Sequence, residues 1–431
     1  MSTTKQAPDG NIGILVGGGP APGLNGVIAA VTIQARKRGH LVYGIMDGYK
    51  WLVQDNFEAL QKSARELRIA DVSRIHFDGG SILGTSRTNP VKTPNGIVNA
   101  VSNLQKLGIK YMVTIGGDDT SYGASEIAKE AGGRIKFAHV PKTIDNDLPL
   151  PNHLPTFGYQ TARDLGAMLV KNLMEDARTT DRWYVAVAMG RHAGHLALGI
   201  AKSAGSTLAI IAEEFGLTGP IEAEKVCDIF EAAILKRRAM GHNHGVLVIA
   251  EGVAERFRPE ELQRIPGVMV EYDSYGHLRL GEVELGKIIK QKIEARFKER
   301  NDKCPIVEMN IGYVLRCADP IPFDQEYTRD LGYNAVEYLL SENPKHQKNA
   351  LICVEDGVLN PLYFDDMIDP ETGKTEIRYV NIDSESYHVA RNYMVRLEKR
   401  DLEDEEFLDK MVLGAKMSRE AFLKKFSYIV S

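Results

Sequence analysis

The chain has 431 residues, of which 43% are hydrophobic and 26% are charged, and its formal net charge is -5. This balance is typical of a globular protein with a substantial core, and it excludes a polybasic surface for nucleic acid. No apolar run reaches the ~20 residues of a membrane helix, and the first residues lack the order of a secretory signal. We therefore expect a cytoplasmic protein of two or three domains that binds neither nucleic acid nor membrane.

The cysteines predict no disulfide framework. They form no CxxC pair, and no nearby histidine completes the spacing of a zinc site. We expect reduced thiols in a reducing compartment at Cys227, Cys304, Cys317 and Cys353.

Short apolar runs alternate with helical patterns along the chain. Residues 12–16 end at glycines and predict a buried strand. The next residues predict a helix that ends near Gly39, with one face made of Leu24, Val27, Ile28, Val31 and Ala35. Further strands are predicted at residues 40–45, 111–115, 135–140, 183–189, 207–212 and 246–250.

Later segments extend this pattern and then break it. Helices are predicted at about 122–131 and at 282–300, where the lysines and arginines of the second helix predict a solvated face. Residues 355–378 predict a loop or insertion, and residues 401–431 predict one or two charged helices. Strand and helix in turn, with strands apolar throughout, predict an α/β fold whose mainly parallel sheets are covered on both faces.

In such sheets, ligands bind just beyond the carboxyl ends of the strands. The first candidate there is the glycine turn at residues 17–23. Its glycines and the helix that follows suit a phosphate. The spacing matches neither the dinucleotide fingerprint nor the P-loop, so a purely structural tight turn stays open.

Two acids, Asp118 and Asp119, directly follow the strand at 111–115. Mg²⁺ takes one or two protein carboxylates and completes its shell with phosphate oxygens and water, so this pair predicts a metal bound together with a phosphate. The alternative is that one of the acids caps the helix, since Asp is favoured at an N-cap.

A third candidate, residues 141–147, places a cation, a hydroxyl and two carboxylates after one strand. Phosphoryl transfer needs a carboxylate that accepts the proton of the attacking hydroxyl, and cations that bind the phosphates. Asp145 could be the base and Lys142 the phosphate clamp. A structural turn is the alternative.

A fourth candidate follows the strand at 183–189. Gly190 permits close approach and Arg191 could bind a phosphate, whereas His192 and His195 are more typical of hydrogen-bonded helix residues than of a metal site. Glu251 and residues 313–316 also follow strands and could bind sugar hydroxyls and phosphate. Each of them alone could equally be a surface ion-pair residue.

The chain resembles the phosphofructokinase family. The motifs that carry the resemblance occur in family order over most of residues 12–340: GGGPAPGLN, GGSILGTSR, GGDDT, PKTIDND, MGR and GYVLR. The resemblance implies two similar three-layer α/β/α domains with the active site in the cleft between them. It also implies a phosphoryl-donor domain at 1–156 plus about 316–365, and a sugar-phosphate domain at 157–315 plus about 366–431.

The resemblance implies roles for particular residues. Asp145 is the base for the sugar 1-hydroxyl, and Lys142 and Arg191 act beside it on the transferred group. Asp118 and Asp147 hold Mg²⁺. The donor is bound by Gly18, Arg87, Asp119 and Lys142. The sugar phosphate is bound by Thr143, Asp145, Arg182, Met189, Gly190, Arg191, Glu251, Tyr313 and Arg316.

Asp119 and Lys142 decide the donor within this resemblance. Members that use ATP usually carry glycine at both places, so this chain is similar to the pyrophosphate-dependent branch. An acid at 119 would repel the nucleotide's α-phosphate, and two like charges ~4 Å apart cost ~4 kcal/mol at an effective dielectric of ~20. Lys142 adds a cation where pyrophosphate carries its charge.

The implied reaction is reversible transfer from pyrophosphate to fructose 6-phosphate in glycolysis. ATP as donor and a non-catalytic sensor on the same fold remain alternatives, and sedoheptulose 7-phosphate could replace the sugar. Arg182 matches an arginine that reaches a neighbouring subunit, which predicts a homodimer or homotetramer. A second such arginine is expected near Val307 and is missing, and Tyr313 stands where many relatives have His.

Overall fold

A computed structural model describes residues 10–258, 284–367 and 376–430. The first residues of the helix predicted at 282–300 lie outside these ranges. The first residues of the predicted phosphoryl-donor domain and the last residue of the predicted sugar-phosphate domain also lie outside them.

The strands agree closely with the predicted apolar runs, and the structure contains several further short strands. They are β1 (Asn11–Val16), β2 (Val42–Ile45), β3 (Ala64–Glu66), β4 (Ile109–Gly116), β5 (Lys136–Pro141), β6 (Trp183–Ala188), β7 (Leu208–Ile210), β8 (Gly245–Ala250), β9 (Ile306–Asn310), β10 (Ala350–Leu351), β11 (Val354–Glu355), β12 (Val358–Leu359) and β13 (Leu362–Tyr363).

Helices separate most of the strands. They are α1 (Leu24–Lys37), α2 (Phe57–Ser63), α3 (Ile69–Val72), α4 (Gly96–Lys106), α5 (Asp118–Ala131), α6 (Tyr159–Thr180), α7 (His195–Ala204), α8 (Ala223–Ala239), α9 (Gly252–Glu255), α10 (Leu285–Glu299), α11 (Gly312–Leu315), α12 (Pro322–Leu339), α13 (Glu385–Asn392), α14 (Lys399–Glu403), α15 (Glu405–Ala415) and α16 (Arg419–Phe426).

The chain forms two compact units. Unit 1 comprises Met1–Ala162 and Val314–Arg378, and unit 2 comprises Arg163–Tyr313 and Tyr379–Ser431. The chain therefore passes between the units three times, once inside α6, once inside α11 and once after Arg378.

Unit 1 is built on a seven-stranded sheet of order β13-β10-β5-β4-β1-β2-β3. Its central pairs are parallel, and its two edge strands β3 and β13 pair antiparallel. Alternate residues of β1 enter different cores: Ile14 packs with α1 and α12, whereas Leu15 packs with α4 and α5. Helices thus cover both faces, as the apolar strands predict.

Unit 2 is built on a four-stranded, fully parallel sheet of order β7-β8-β6-β9. The central strands β6 and β8 are buried throughout, and the ring of Trp183 packs edge-on to Phe230 of α8 with centroids 5.5 Å apart. Both units confirm the predicted α/β class with mainly parallel sheets, although the second sheet is smaller.

Three segment predictions need correction. Residues 355–378 are not only loop, because β13 extends the large sheet and β11 pairs with β12 as a hairpin. The C-terminal stretch contains three helices, α14, α15 and α16, rather than one or two. The basic face of α10 is only partly solvated, since Arg296 is drawn into ion pairs with acids of α8.

A buried carboxylate joins α8 to α10 and α16. The Glu231 side chain is fully buried and contacts Arg296 at 2.8 Å, Arg300 at 2.5 Å and Lys425 at 2.9 Å. Burial opposes its ionisation, but the bond from Lys425 and the arginine charges prevail and lower the pKa of Glu231. This network fixes the C-terminal helix α16 on unit 2.

We predict that Glu231→Gln lowers the free energy of unfolding by about 3 kcal/mol, because it leaves buried cations without their shared acid. Urea unfolding followed by tryptophan fluorescence would measure the loss. Glu58→Gln is the matched control, since Glu58 forms an exposed pair with Lys62 and should cost less than about 1 kcal/mol. If the two variants unfold at the same urea concentration, the ion pairs of Glu231 do not stabilise the protein as proposed.

Candidate active site

The glycine turn after β1 lies against two cations. Gly18 has a φ of +80°, which favours glycine, and a Cβ there would lie 3.4 Å from Lys142 Nζ. A Cβ at Gly19 would lie 3.4 Å from Arg316 Cζ. Lys142 Nζ donates to the carbonyl of Gly19 at 2.6 Å. Bare backbone beside two cations is an arrangement suited to an anionic ligand.

The N–H of Gly18 is already used within the protein. It donates to Ser86 O at 2.9 Å, and Thr85 Oγ1 donates to Gly18 O at 2.6 Å. A parallel bridge between Gly17 and Ser86 brings Arg87 next to the turn. The resemblance implies that Gly18 binds the donor through its N–H, which in this structure donates to Ser86 O. Gly18 also leaves the space beside Lys142 without a side chain.

Helix α5 begins four residues earlier than predicted, at Asp118 instead of Tyr122. Gly117 is the N-cap, and its carbonyl accepts the N–H of Thr120 at 3.1 Å. Asp118 and Asp119 thus occupy the exposed first turn, so the interpretation of either acid as the cap is wrong. The positive end of the helix dipole favours acids at these positions.

The side chain of Thr120 requires glycine at two positions near the beginning of this helix. This side chain is buried, and a Cβ at either Gly17 or Gly116 would lie 2.4 Å from Thr120 Oγ1. Tyr49 also donates its hydroxyl to Thr120 O at 2.9 Å. The start of α5 is therefore packed directly under the glycine turn.

Lys142 is a cation held inside unit 1, with 6% of its surface exposed. Burial lowers the pKa of its ammonium to about 8, and the charges of Arg316 and Arg87 act in the same direction. Asp145 and Asp147 oppose this shift. The two arginines that are candidates to bind phosphate and the two candidate acids therefore shift the pKa of Lys142 in opposite directions.

The loop after β5 holds the two acids in place. Thr143 Oγ1 accepts the N–H of Asp145 at 3.0 Å, and Thr143 O accepts the hydroxyl of Thr156 at 2.6 Å. Asp147 is partly buried. Burial raises its pKa, against a hydrogen bond from Thr143 and the charge of Arg378.

Two structural supports of the site were missed by the sequence analysis. Arg378, which falls in the predicted insertion, donates from its side chain to the loop that carries Asp145. In unit 2, the buried carboxylate of Glu213 accepts the N–H groups of Gly194 at 2.8 Å and Val380 at 3.0 Å. No motif marks either residue, because each acts on the backbone of a segment far away in sequence.

Unit 2 gathers its own candidates at the carboxyl ends of β6, β8 and β9. Gly190 has a φ of +130°, and its carbonyl accepts the N–H of Gly252 at 3.1 Å. Glu251 donates its N–H to Ala188 O at 2.9 Å, and a Cβ at Gly312 would lie 2.4 Å from Met189 Cγ. The strand ends therefore bring together Met189, Gly190, Arg191, Glu251 and Tyr313.

Arg182 is the exception in unit 2. It directly precedes β6, whereas Met189 directly follows it. A six-residue strand spans about 20 Å. The structure therefore places Arg182 at the opposite edge of the sheet from the other candidates of this unit.

The predicted residues divide between the units. Unit 1 contains Gly18, Arg87, Asp118, Asp119, Lys142, Thr143, Asp145, Asp147 and Arg316, and unit 2 contains Arg182, Met189, Gly190, Arg191, Glu251 and Tyr313. Arg316, predicted to bind the sugar phosphate, thus shares a unit with the glycine turn.

Two carboxylates of unit 1 are candidates to hold a metal together with a phosphate. Over the described ranges, no three or more His, Cys, Asp or Glu side chains form a metal-holding group. Mg²⁺ needs only one or two protein carboxylates when phosphate oxygens and water complete its shell. Asp118 and Asp147 could supply such a pair.

Within the same described ranges, every helix is too short or too polar to span a membrane.

Residues 11–339, more than half of the chain, match the family model described as Phosphofructokinase. The chain belongs to the phosphofructokinase family. Among curated relatives of this family, pyrophosphate–fructose 6-phosphate 1-phosphotransferase of Thermotoga maritima is 54% identical over 96% of this chain and 97% of its own length. The protein of the same name from Naegleria fowleri is 48% identical over 99% and 97%.

A family member named for ATP as donor is less similar than these two relatives. An ATP-dependent 6-phosphofructokinase of Mycobacterium tuberculosis is 30% identical over 76% of this chain and 86% of its own length. Among solved phosphofructokinases, the pyrophosphate-dependent protein of Nitrosospira multiformis has a TM-score of 0.64 at 17% identity, covering 90% of this chain and 91% of its own. The Pichia pastoris T-state structure has a TM-score of 0.64 at 21% identity, and this chain covers 40% of it. These structures establish the fold.

Proposed function

We propose that this phosphofructokinase transfers a phosphoryl group from pyrophosphate to the 1-hydroxyl of fructose 6-phosphate. The observation that carries the choice of donor is Lys142, a buried ammonium 2.6 Å from the carbonyl of Gly19. It supplies positive charge beside Gly18 and Gly19, which carry no side chains. The names of the relatives at 54% and 48% identity support the same donor and the same sugar.

In unit 1, the glycine turn, Arg87 and Lys142 would bind the pyrophosphate. Asp118 and Asp147 would hold Mg²⁺, which neutralises charge on the phosphate oxygens when it is bound. Asp145 takes the proton of the 1-hydroxyl. The sugar oxygen then forms a bond to phosphorus, the bridging oxygen–phosphorus bond breaks, and orthophosphate leaves.

In unit 2, the residues at the strand ends would bind fructose 6-phosphate. Glu251 and the backbone at Met189 and Gly190 suit sugar hydroxyls, whereas Arg191 would stabilise the charge that spreads over the transferred group. Tyr313 would bind the 6-phosphate, a role that the resemblance also implies for Arg316 of unit 1. Because Lys142 and Arg316 both lie at the glycine turn, Arg316 also contributes charge to the donor side.

The position of Arg182 supports a homo-oligomer. Since Arg182 lies at the opposite edge of its sheet, it could reach a sugar phosphate only at the site of another copy of the chain. We therefore propose a homodimer or homotetramer with shared sites. Sedimentation equilibrium would test this, and a monomer at assay concentration would contradict it.

We predict that Asp145→Ser lowers kcat by about 10²–10⁴-fold, because it removes the acceptor of the hydroxyl proton. The KM values for both substrates should change little. Steady-state assays with pyrophosphate would measure this. Asp55→Ser, at an exposed position of unit 1, is the control, and an active Asp145→Ser variant would remove the base assignment.

The electrostatic repulsion between Asp119 and ATP is expected to be weaker than the ~4 kcal/mol of a partly shielded pair. Asp119 is exposed, so the cost of a like charge ~4 Å away lies nearer the ~1 kcal/mol of bulk water than the ~4 kcal/mol of a partly shielded pair. We predict that Asp119→Gly with Lys142→Gly raises the ratio of ATP to pyrophosphate use by at least about tenfold, mainly through Lys142.

Side-by-side assays of the wild type, both single variants and the double variant would measure that ratio. A wild type that uses ATP and ignores pyrophosphate would overturn the proposed function. An unchanged ratio in the double variant would show that other residues exclude the nucleotide.

We predict that kcat/KM for pyrophosphate falls as the pH rises through about 8, where Lys142 loses its proton, since this constant reports ionisations of the free enzyme. Lys142→Arg keeps the charge and should move the fall to higher pH. Lys136→Arg is the control, because burial also lowers the pKa of Lys136 to about 8, at the far end of the same strand. If the profile of Lys142→Arg coincides with that of the wild type, another group causes the fall.

A further inference from the structure

Arg378 ends unit 1 and binds a single loop with its whole side chain. Its Nε donates to Asn146 O at 3.0 Å and its Nη1 to Leu154 O at 2.7 Å. Its Nη2 donates to Asn146 Oδ1. The main-chain N–H of Arg378 also donates to Asp147 O at 2.8 Å. All three guanidinium nitrogens therefore point into the loop that follows β5.

The loop needs such support at Asn146. This residue lies between the two acids and has a φ of +57°, a left-handed conformation that few residues other than glycine and Asn adopt and that local hydrogen bonds stabilise. Besides Arg378, the N–H of Thr156 binds Asn146 Oδ1 at 3.0 Å. Both oxygens of Asn146, the residue between the two acids, are thus held by hydrogen bonds.

We propose that Arg378 is a positioning residue that fixes the loop carrying Asp145 and Asp147 in its active geometry. The inference rests on the proposed function in that Asp145 is the base. We assign Arg378 a positioning role and not a catalytic one, because each of its guanidinium nitrogens donates to Asn146 or Leu154. It also lies outside residues 11–339, which match the family model. This support therefore comes from a part of the chain that the family model does not cover.

The chemistry of arginine suits this task. Its guanidinium is a rigid fork that can bind several acceptors at fixed angles, whereas a lysine ammonium is a single point of charge on a flexible stem. The acceptors here are separated in sequence but share one loop. Only the fork can hold Asn146 and Leu154 at the same time.

The test is a comparison of kcat with KM in variants of Arg378. We expect Arg378→Ala to lower kcat by about 10–100-fold, since a small displacement of a catalytic group costs about that much, with each KM changed less than about threefold. Arg378→Lys should recover part of kcat. Guanidinium ion added to the assay should restore Arg378→Ala and leave Asp145→Ser inactive.

Arg238→Ala is the matched control. Arg238 also uses three nitrogens, donating to Asn243 Oδ1 at 2.7 Å, to Asp302 Oδ2 at 2.7 Å and to Lys303 O at 2.8 Å, but all of these contacts lie within unit 2, whereas those of Arg378 lie within unit 1. Its loss should lower stability without lowering kcat. If Arg378→Ala keeps the wild-type kcat, or loses no more than Arg238→Ala, the positioning role is overturned.

Hydrogen exchange separates this inference from the proposed function. Amides of residues 143–156 should exchange faster in Arg378→Ala than in the wild type, whether or not the protein turns over pyrophosphate. A wild type without pyrophosphate activity would contradict only the proposed function. Unchanged hydrogen exchange in Arg378→Ala would contradict only the positioning role. Should Arg378→Ala fail to fold, Arg378→Lys provides both measurements.

Discussion

The donor half of the candidate site depends on a lysine ammonium held inside the protein. Removing a charge from water costs several kcal/mol unless nearby groups compensate, and Lys142 finds that compensation in the Gly19 carbonyl and in the charges of Asp145 and Asp147. Glycine at position 18 follows from the shape of the turn, because its φ of +80° favours glycine, and it places bare backbone beside the ammonium. A turn, a cation and a pair of acids thus depend on one another.

Parallel sheets explain how each unit collects its candidates. All the parallel strands of a sheet end at the same edge, so residues far apart in sequence meet there without a contiguous motif. Unit 1 brings the turn after β1 to the loop after β5 in this way, and unit 2 brings Met189 to Glu251. The same geometry separates Arg182 from its neighbours in unit 2, since it precedes its strand instead of following it.

The C-terminal part of the chain supports both units from outside the residues that match the family model. Arg378 stabilises the loop of the two acids in unit 1, and Val380 donates to Glu213, which also binds the segment after Met189. Further on, Lys425 binds the buried Glu231 and so fixes α16 to unit 2. Motifs alone identify the family, but these later segments hold the motif-bearing loops in place.

The amino-acid sequence by itself determined the α/β class, most strand positions and the family, because apolar runs ending in glycine and acidic motifs are local signals. The beginning of α5 at Asp118 and the burial of Lys142 were decided only by the tertiary structure, since both depend on Thr120 and the glycine turn packing together. The contacts of Arg378 with Asn146 and of Glu213 with Val380 likewise join residues more than a hundred positions apart. A hydrogen bond between distant segments leaves no pattern in a single sequence, and so the supports of the site emerged only when the chain was folded.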